Sequence, residues 1–134
     1  MARELYEAPL FAAGVALYWA EGAKTLPRLE LANTDPALLL LYVEWVRRYL
    51  DSRAEFRLSL HLHEGNDEQE AKRYWQRELR LPSARFTKTY IKRGGTGHRK
   101  NRLSHGVCRV RVCRSADLWH KTMAWIEYAR DHGA

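Results

Sequence analysis

The 134 residues correspond to one ordinary domain, because a chain of this length cannot bury two independent cores. Hydrophobic residues account for 46% and charged residues for 29%, which excludes a disordered chain, while two cysteines exclude a disulfide scaffold. The 23 basic and 16 acidic residues leave a formal net charge of +7, so a polyanionic partner has to be considered.

The first predicted element is an apolar helix over Leu10–Ala20. Pro9 before it and Gly22 behind Glu21 are typical boundary residues, since proline is common in the first turn and glycine just past the end. The apolar run 8–20 is shorter than the ~20 residues that a membrane span needs. The glutamates at positions 4 and 7 are atypical of a secretion signal. We therefore expect a cytoplasmic protein with no membrane partner, a single domain over residues 1–134.

Strands and helices alternate through the middle of the chain. A short strand over 28–33 leads to Asp35 and Pro36, an N-cap followed by proline at the first helical position, which predicts a helix to about residue 50. Residues 55–63 alternate in polarity, as a strand with one buried face does. Asp67 and Glu70 are spaced as in a capping box, so a helix to about residue 79 follows. The outward residues of the alternating strand are Arg57, Ser59, His61 and His63.

The last third of the chain predicts two strands and a final helix. One strand covers 85–93, a basic glycine-rich loop covers 94–104, and a second strand covers 105–113, in which Arg109 and Arg111 alternate with apolar residues. Ser115 is the expected cap of the final helix. The order α-β-α-β-α-β-β-α predicts an α+β fold, with an antiparallel sheet, helices on one face and a basic opposite face.

Positive charge is concentrated in one quarter of the chain. Between residues 83 and 114 there are ten Lys and Arg side chains and no Asp or Glu, whereas the remainder holds 13 basic and 16 acidic residues. Such a concentration is typical of a surface that binds a polyanion, most often nucleic acid. The alternative is a solvated basic face without a ligand. The expected DNA contacts are Arg57, Ser59, His61, His63, Arg85, Lys88, Lys92, Arg93, Arg99, Lys100, Arg109 and Arg111.

Two further motifs favour phosphate contacts over other chemistry. His61 and His63 could bind zinc from one strand face, but no third ligand is evident in the sequence. The segment 94–97, with the sequence GGTG, lacks the spacing of a Walker loop and precedes a strand rather than a helix, which argues against a nucleotide cofactor. A loop that grips backbone phosphates is the better interpretation.

The end of the first helix carries a family motif. Residues 14–22, with the sequence GVALYWAEG, resemble the motif of the LAGLIDADG homing endonucleases. Glu21 stands at the last acidic position of that motif, and Trp19 occupies its first acidic position. The segment 31–36 is similar to the strand-to-helix junction that often follows the motif. The residues that match the motif itself are Leu17, Ala20 and Gly22.

The resemblance implies a LAGLIDADG-like fold, a homodimer and a metal site. Because the chain holds one copy of the motif, two subunits would pack their first helices together at a two-fold axis. Glu21 of each subunit would bind Mg²⁺ and serve as the catalytic residue in cleavage of double-stranded DNA. The small interface residues would be Ala12, Ala16 and Ala20, which lie on one line of the helix. The basic residues expected to assist are Lys88, Lys92, Arg99 or Lys100.

The chemistry at Glu21 leaves alternatives open. A carboxylate at the negative end of a helix dipole is unfavourable unless a cation compensates it, and a metal ion would do so. Without the resemblance, Glu21 is a solvated acid beside a C-terminal glycine. A DNA-binding regulator on the same fold, with Glu21 as a vestige, is the second hypothesis. An RNA-binding domain is the third.

Overall fold

The computed structural model describes residues 2–93 and 105–132, and side chains from residue 9 onward within them. The described part has a mixed α+β architecture, as the sequence predicts. Its helices are α1 (Ala2–Glu21), α2 (Pro36–Tyr49), α3 (Glu68–Glu78) and α4 (Ala116–Asp131). Its strands are β1 (Glu30–Asn33), β2 (Phe56–His63), β3 (Arg85–Phe86), β4 (Tyr90–Lys92) and β5 (Val107–Val112). None of these helices is both long and apolar enough to cross a bilayer.

The strands form one mixed sheet. Its order is β1-β5-β2-β3, and β4 also pairs with β2. The pairs β1–β5 and β5–β2 are antiparallel, whereas β3 and β4 run parallel to β2. The prediction of an antiparallel sheet is therefore wrong at this edge. The reason is α3, which carries the chain back past β2 as a crossover connection, so that the next strands start at the same end as β2.

The predicted strand over 85–93 is interrupted. Leu58 pairs with Phe86 and His61 with Tyr90, so three steps along β2 correspond to four steps along its neighbour. The extra residue is a bulge that divides the predicted strand into β3 and β4. Across the interruption the backbone N–H of Thr87 still donates to the Leu58 carbonyl, at 2.8 Å.

The two faces of the sheet differ as the alternation predicts. On the inner face, Leu58, Leu60 and Val110 are fully buried in a single hydrophobic cluster to which the helices also contribute. The opposite face, which we call the polar face, carries the intervening residues of β2 and β5. These residues are Arg57, Ser59, His61, His63, Val107, Arg109 and Arg111, all partly or fully exposed.

The start of α1 differs from the prediction. The helix begins at Ala2, so Pro9 lies inside it rather than opening it. A proline there removes one backbone hydrogen bond. The helix continues to Glu21, in agreement with the predicted end.

Two of the three predicted helix caps are present in the structure, and the third is not. Asp35 accepts from the backbone N–H of Ala37 at 2.9 Å, and Asp67 accepts from that of Glu70 at 3.1 Å, so both caps are confirmed. Ser115 precedes α4 but forms no side-chain cap. Its buried hydroxyl instead donates to the Val112 carbonyl at 2.7 Å and accepts from the N–H of Leu29 at 2.9 Å. These bonds tie the start of α4 to the residue that precedes β1.

Candidate nucleic-acid interface

The polar face brings most of the predicted β2 and β5 site residues into one shallow cavity. It has a volume of about 250 Å³ and lies across the middle of the sheet. Strand alternation aims the side chains into it, so their positions are fixed by the backbone ladder. The predicted residues that line it are Arg57, Ser59, His61, Arg109 and Arg111, and those that the sequence did not single out are Arg28, Glu30, Thr87 and Tyr90.

Three arginines lie side by side across this face. Arg57 of β2 pairs in register with Arg85 of β3 on one side and with Arg111 of β5 on the other. Neighbouring strands are about 4.8 Å apart, and like charges directly opposite each other are destabilising. We call Arg85, Arg57 and Arg111 the arginine row. Glu30 of β1 is the next residue beyond Arg111, so a single carboxylate ends the row.

That carboxylate is paired with a different arginine. The Nη1 group of Arg109 donates to Oε2 of Glu30 at 3.0 Å, whereas no member of the arginine row forms an ion pair in the described part of the chain. The Glu30 side chain is only 10% exposed and that of Arg109 is 42% exposed, so the acid lies beneath the guanidinium. An unpaired carboxylate at this depth would be costly, and the ion pair offsets that cost.

The backbone of Glu30 is held by the end of α1. The N–H of Glu30 donates to the Tyr18 hydroxyl at 3.2 Å, and the Glu30 carbonyl accepts from the N–H of Ala23 at 2.9 Å. Tyr18 in turn donates to the Ala23 carbonyl at 2.7 Å. Burial of the ring raises the pKa of Tyr18 to about 12, so this hydroxyl keeps its proton, and its role as a donor, into the alkaline range.

The opposite end of the polar face is aromatic. The rings of His61 and Tyr90 are stacked, with centroids 4.8 Å apart, and the Lys88 ammonium lies 5.8 Å from the Tyr90 centroid. His63 is paired in register with the exposed Lys92. No three His, Cys, Asp or Glu side chains gather around a possible metal ion within residues 9–93 and 105–132. Arg93 is exposed after β4, whereas Arg99 and Lys100 lie outside the described residues.

Basic residues continue around the end of the sheet. A second cavity of about 520 Å³ includes Arg57 and Arg85 and adds Arg47 and Arg80. Arg47 is fixed there, because its Nη2 group donates to the Ala54 carbonyl at 3.2 Å. The two cavities share Arg57, so the positively charged surface extends beyond the polar face.

The end of α1 is neutralised by a lysine. The Lys24 ammonium donates to the Trp19 carbonyl at 2.9 Å and to the Gly22 carbonyl at 2.7 Å. It therefore supplies the cation that the helix dipole requires, for which the sequence suggested a metal. Glu21 itself is exposed, and its carboxylate forms no hydrogen bond or ion pair with the described residues.

The Glu21 carboxylate suits a hard cation only in part. Its oxygens are the ligand type that Mg²⁺ prefers, and they are open to solvent. One carboxylate supplies at most two of the six oxygen ligands that Mg²⁺ takes, so Glu21 of one chain does not make a complete site by itself. The residues expected at the dimer interface, Ala12, Ala16 and Ala20, are all exposed on α1.

The site residues that the sequence analysis missed could have been identified from the alternation of polar and apolar residues in the strands. Glu30 and Arg28 flank Leu29, which belongs to the inner face, so the same alternation that placed Arg57 also places them on the polar face. Tyr90 and Thr87 lie in the segment predicted as one strand, and the bulge decides which of its residues face outward.

Comparison with known proteins adds no family assignment. The sequence matches no protein-family model, and no curated protein matches it at a significant level. The polar face and the end of α1 are therefore the features from which a function can be inferred.

Proposed function

We propose that the protein binds double-stranded DNA through the polar face of its sheet. The observation that carries this proposal is the arginine row, in which Arg85, Arg57 and Arg111 stand on adjacent strands without an ion-pair partner in the described chain. Such a row costs free energy in the unbound protein, because like charges repel. Phosphate groups of a bound polyanion would relieve that repulsion.

Extended nucleic acid fits this surface better than a small anion does. The basic residues continue from the shallow cavity through Arg57 to Arg47 and Arg80 at the end of the sheet, which is farther than one phosphate group reaches. Residues on strands are held rigidly, so the sheet can present several basic side chains to a duplex at fixed spacing. Single-stranded or hairpin RNA is the competing ligand, and a preference for it over duplex DNA would contradict the proposal.

The same proposal assigns cleavage to the end of α1. The motif resemblance and the open carboxylate of Glu21 support this part. Two copies of the chain would bring two Glu21 side chains together by packing α1 against α1, with Ala12, Ala16 and Ala20 permitting the close approach. Mg²⁺, when bound, would activate water and stabilise charge on the phosphate. The protein's own part is to hold the ion through Glu21 and to position the duplex through the arginine row.

The binding claim is tested with charge-reversal variants. Arg57→Glu/Arg111→Glu should abolish the anisotropy change of a labelled duplex, because both arginines face the proposed ligand. The matched control is Arg53→Glu/Arg73→Glu, which changes the net charge equally at two exposed positions outside both cavities. For about 6–10 phosphate contacts, affinity should fall ~10³–10⁵-fold between 50 and 200 mM salt. Equal losses in the two variants, or a flat salt response, would contradict the proposal.

The cleavage claim is tested separately at Glu21. With Mg²⁺ and a duplex recovered by selection from a random pool, the wild-type chain should cut and Glu21→Gln should bind without cutting. Persistent cleavage by pure Glu21→Gln would remove Glu21 from the mechanism. Tight binding by the wild type without strand breakage, in Mg²⁺ and in Mn²⁺, would favour the DNA-binding regulator.

A further inference from the structure

Arg109 differs from the arginine row in its surroundings. Its register partners are Ser59 on one side and Ala32 on the other, so small side chains flank it where arginines flank Arg57. It is also the one arginine of the polar face that the described structure shows in an ion pair, with Glu30. The guanidinium is therefore held by Glu30 and remains partly exposed within the shallow cavity.

The ion pair uses only part of what Arg109 can donate. Its Nη1 group binds Glu30, and the remaining N–H groups on Nη2 and Nε have no hydrogen-bond partner in the described residues. Two N–H groups in a planar fork match the O6 and N7 acceptors on the major-groove edge of guanine. No other base pair presents two adjacent acceptors in that groove.

The buried carboxylate of Glu30 favours contact of Arg109 with a base over contact with a phosphate. A phosphate placed against Arg109 would also lie close to the negative charge of Glu30, which opposes its binding. The edge of a base carries no net charge and meets no such repulsion. Arg57 and Arg85 of the arginine row have no carboxylate among their register partners in the described sheet, so these two suit phosphates instead.

We propose that Arg109 is a specificity-determining residue that recognises one guanine in the DNA target, and that Glu30 is its positioning residue. This inference rests on the proposed function, because it requires the polar face to contact the major groove. The backbone of Glu30 is anchored by Tyr18 and Ala23, so the carboxylate can hold the guanidinium at low entropic cost.

The first test uses the wild-type chain and needs no mutation. Selection from a random duplex pool should return a site with one strongly preferred G·C pair in each half-site. Replacing that guanine by 7-deazaguanine removes the N7 acceptor and keeps Watson–Crick pairing, so it should weaken binding. The same replacement at a neighbouring guanine of the site is the control, and it should have a smaller effect.

The second test compares variants on the polar face. Arg109→Gln should lose about 5- to 140-fold in preference for guanine at that one position and should no longer respond to 7-deazaguanine. Arg57→Gln, the matched control, should weaken binding to all duplexes alike. Glu30→Gln should reduce the guanine preference while raising affinity for unrelated duplexes, because it removes a negative charge near DNA. If the role of Glu30 were purely structural, Glu30→Gln would lower both the guanine preference and the affinity for unrelated duplexes.

The outcomes separate this inference from the proposed function. If the chain binds duplex DNA with a steep salt dependence but Arg109→Gln scales all affinities equally and 7-deazaguanine has no effect, the assignment of Arg109 is overturned and DNA binding stands. If no salt-dependent duplex binding is found, both are overturned.

Discussion

The indole ring of Trp45 lies directly against the backbone of Gly14, in the space that a Cβ atom would fill. This contact sets the distance between α1 and α2, because Trp45 is fully buried and has no room to retreat. Phe11 and Trp45 both pack edge-on against Trp125 of α4, so the contact belongs to the centre of the helical layer.

Gly14→Ala should therefore destabilise the fold. The added methyl group overlaps Cγ and Cδ1 of Trp45. Overpacking of this kind costs about 1–3 kcal/mol, measured as a lower free energy of unfolding in urea. Ala13→Ser, one residue earlier on the exposed side of α1, is the control and should change stability little. Alanine gains about 1 kcal/mol of helix propensity over glycine, so a Gly14→Ala variant more than about 1 kcal/mol more stable than the wild type would contradict the clash.

Substitutions at two arginines of the polar face should change the free energy of unfolding in opposite directions. Arg57→Thr removes the middle charge of the arginine row and introduces a good strand former, so the free energy of unfolding should rise by up to about 1 kcal/mol. Arg109→Thr leaves the buried Glu30 carboxylate without its partner, so stability should fall. Urea titrations at low salt compare the two variants. A loss in both would mean that the arginine row does not carry net repulsion.

Alkaline pH should unfold the protein through its buried tyrosines. Burial raises the pKa of Tyr18 from 10 to about 12 and raises that of Tyr42 well above 10. Above pH 10 the unfolded chain loses these protons while the folded chain keeps them, so stability is complete below pH 10 and falls as the pH rises towards 12. The slope is about 1.4 kcal/mol per pH unit for each tyrosine.

Circular dichroism in urea between pH 8 and 12 measures this slope. Tyr18→Phe should be less stable at neutral pH, because its hydrogen bonds are lost, yet its stability should depend less steeply on pH. Tyr128→Phe is the control, since Tyr128 is 65% exposed, and it should leave the slope unchanged. An unaltered slope in Tyr18→Phe would contradict the role of burial.

The exposed face of α1 should decide self-association. Ala16→Arg places a long charged side chain at the centre of the proposed interface, where two helices must approach closely. We expect a folded monomer that binds half a site and does not cleave, detected by sedimentation with and without DNA. Ala124→Arg, exposed on α4, should behave as the wild type does. Unchanged dimerisation by Ala16→Arg would move the interface elsewhere.

Local sequence patterns predicted most helices and strands and the residues of the polar face. The contacts that depend on strand order could not be predicted from these patterns. The alternation that places Arg57 and Arg109 outward depends only on the two-residue period of a strand. The ion pair of Arg109 with Glu30 joins residues 79 positions apart and depends on strand order, which the alternation does not contain. Likewise, the helix dipole indicated the need for a cation near Glu21 but not that Lys24 supplies it.

The position of β5 in the sheet has a consequence for synthesis of the protein. It lies between β1 and β2, yet it comes after both of them and after three of the four described helices along the chain. During translation, β1 and β2 therefore leave the ribosome well before β5, the strand that pairs with both of them, has been synthesised. Until then both strands expose unpaired backbone groups, which are sites of aggregation. We expect the nascent chain to acquire protease resistance in one late step, once residue 112 has left the exit tunnel.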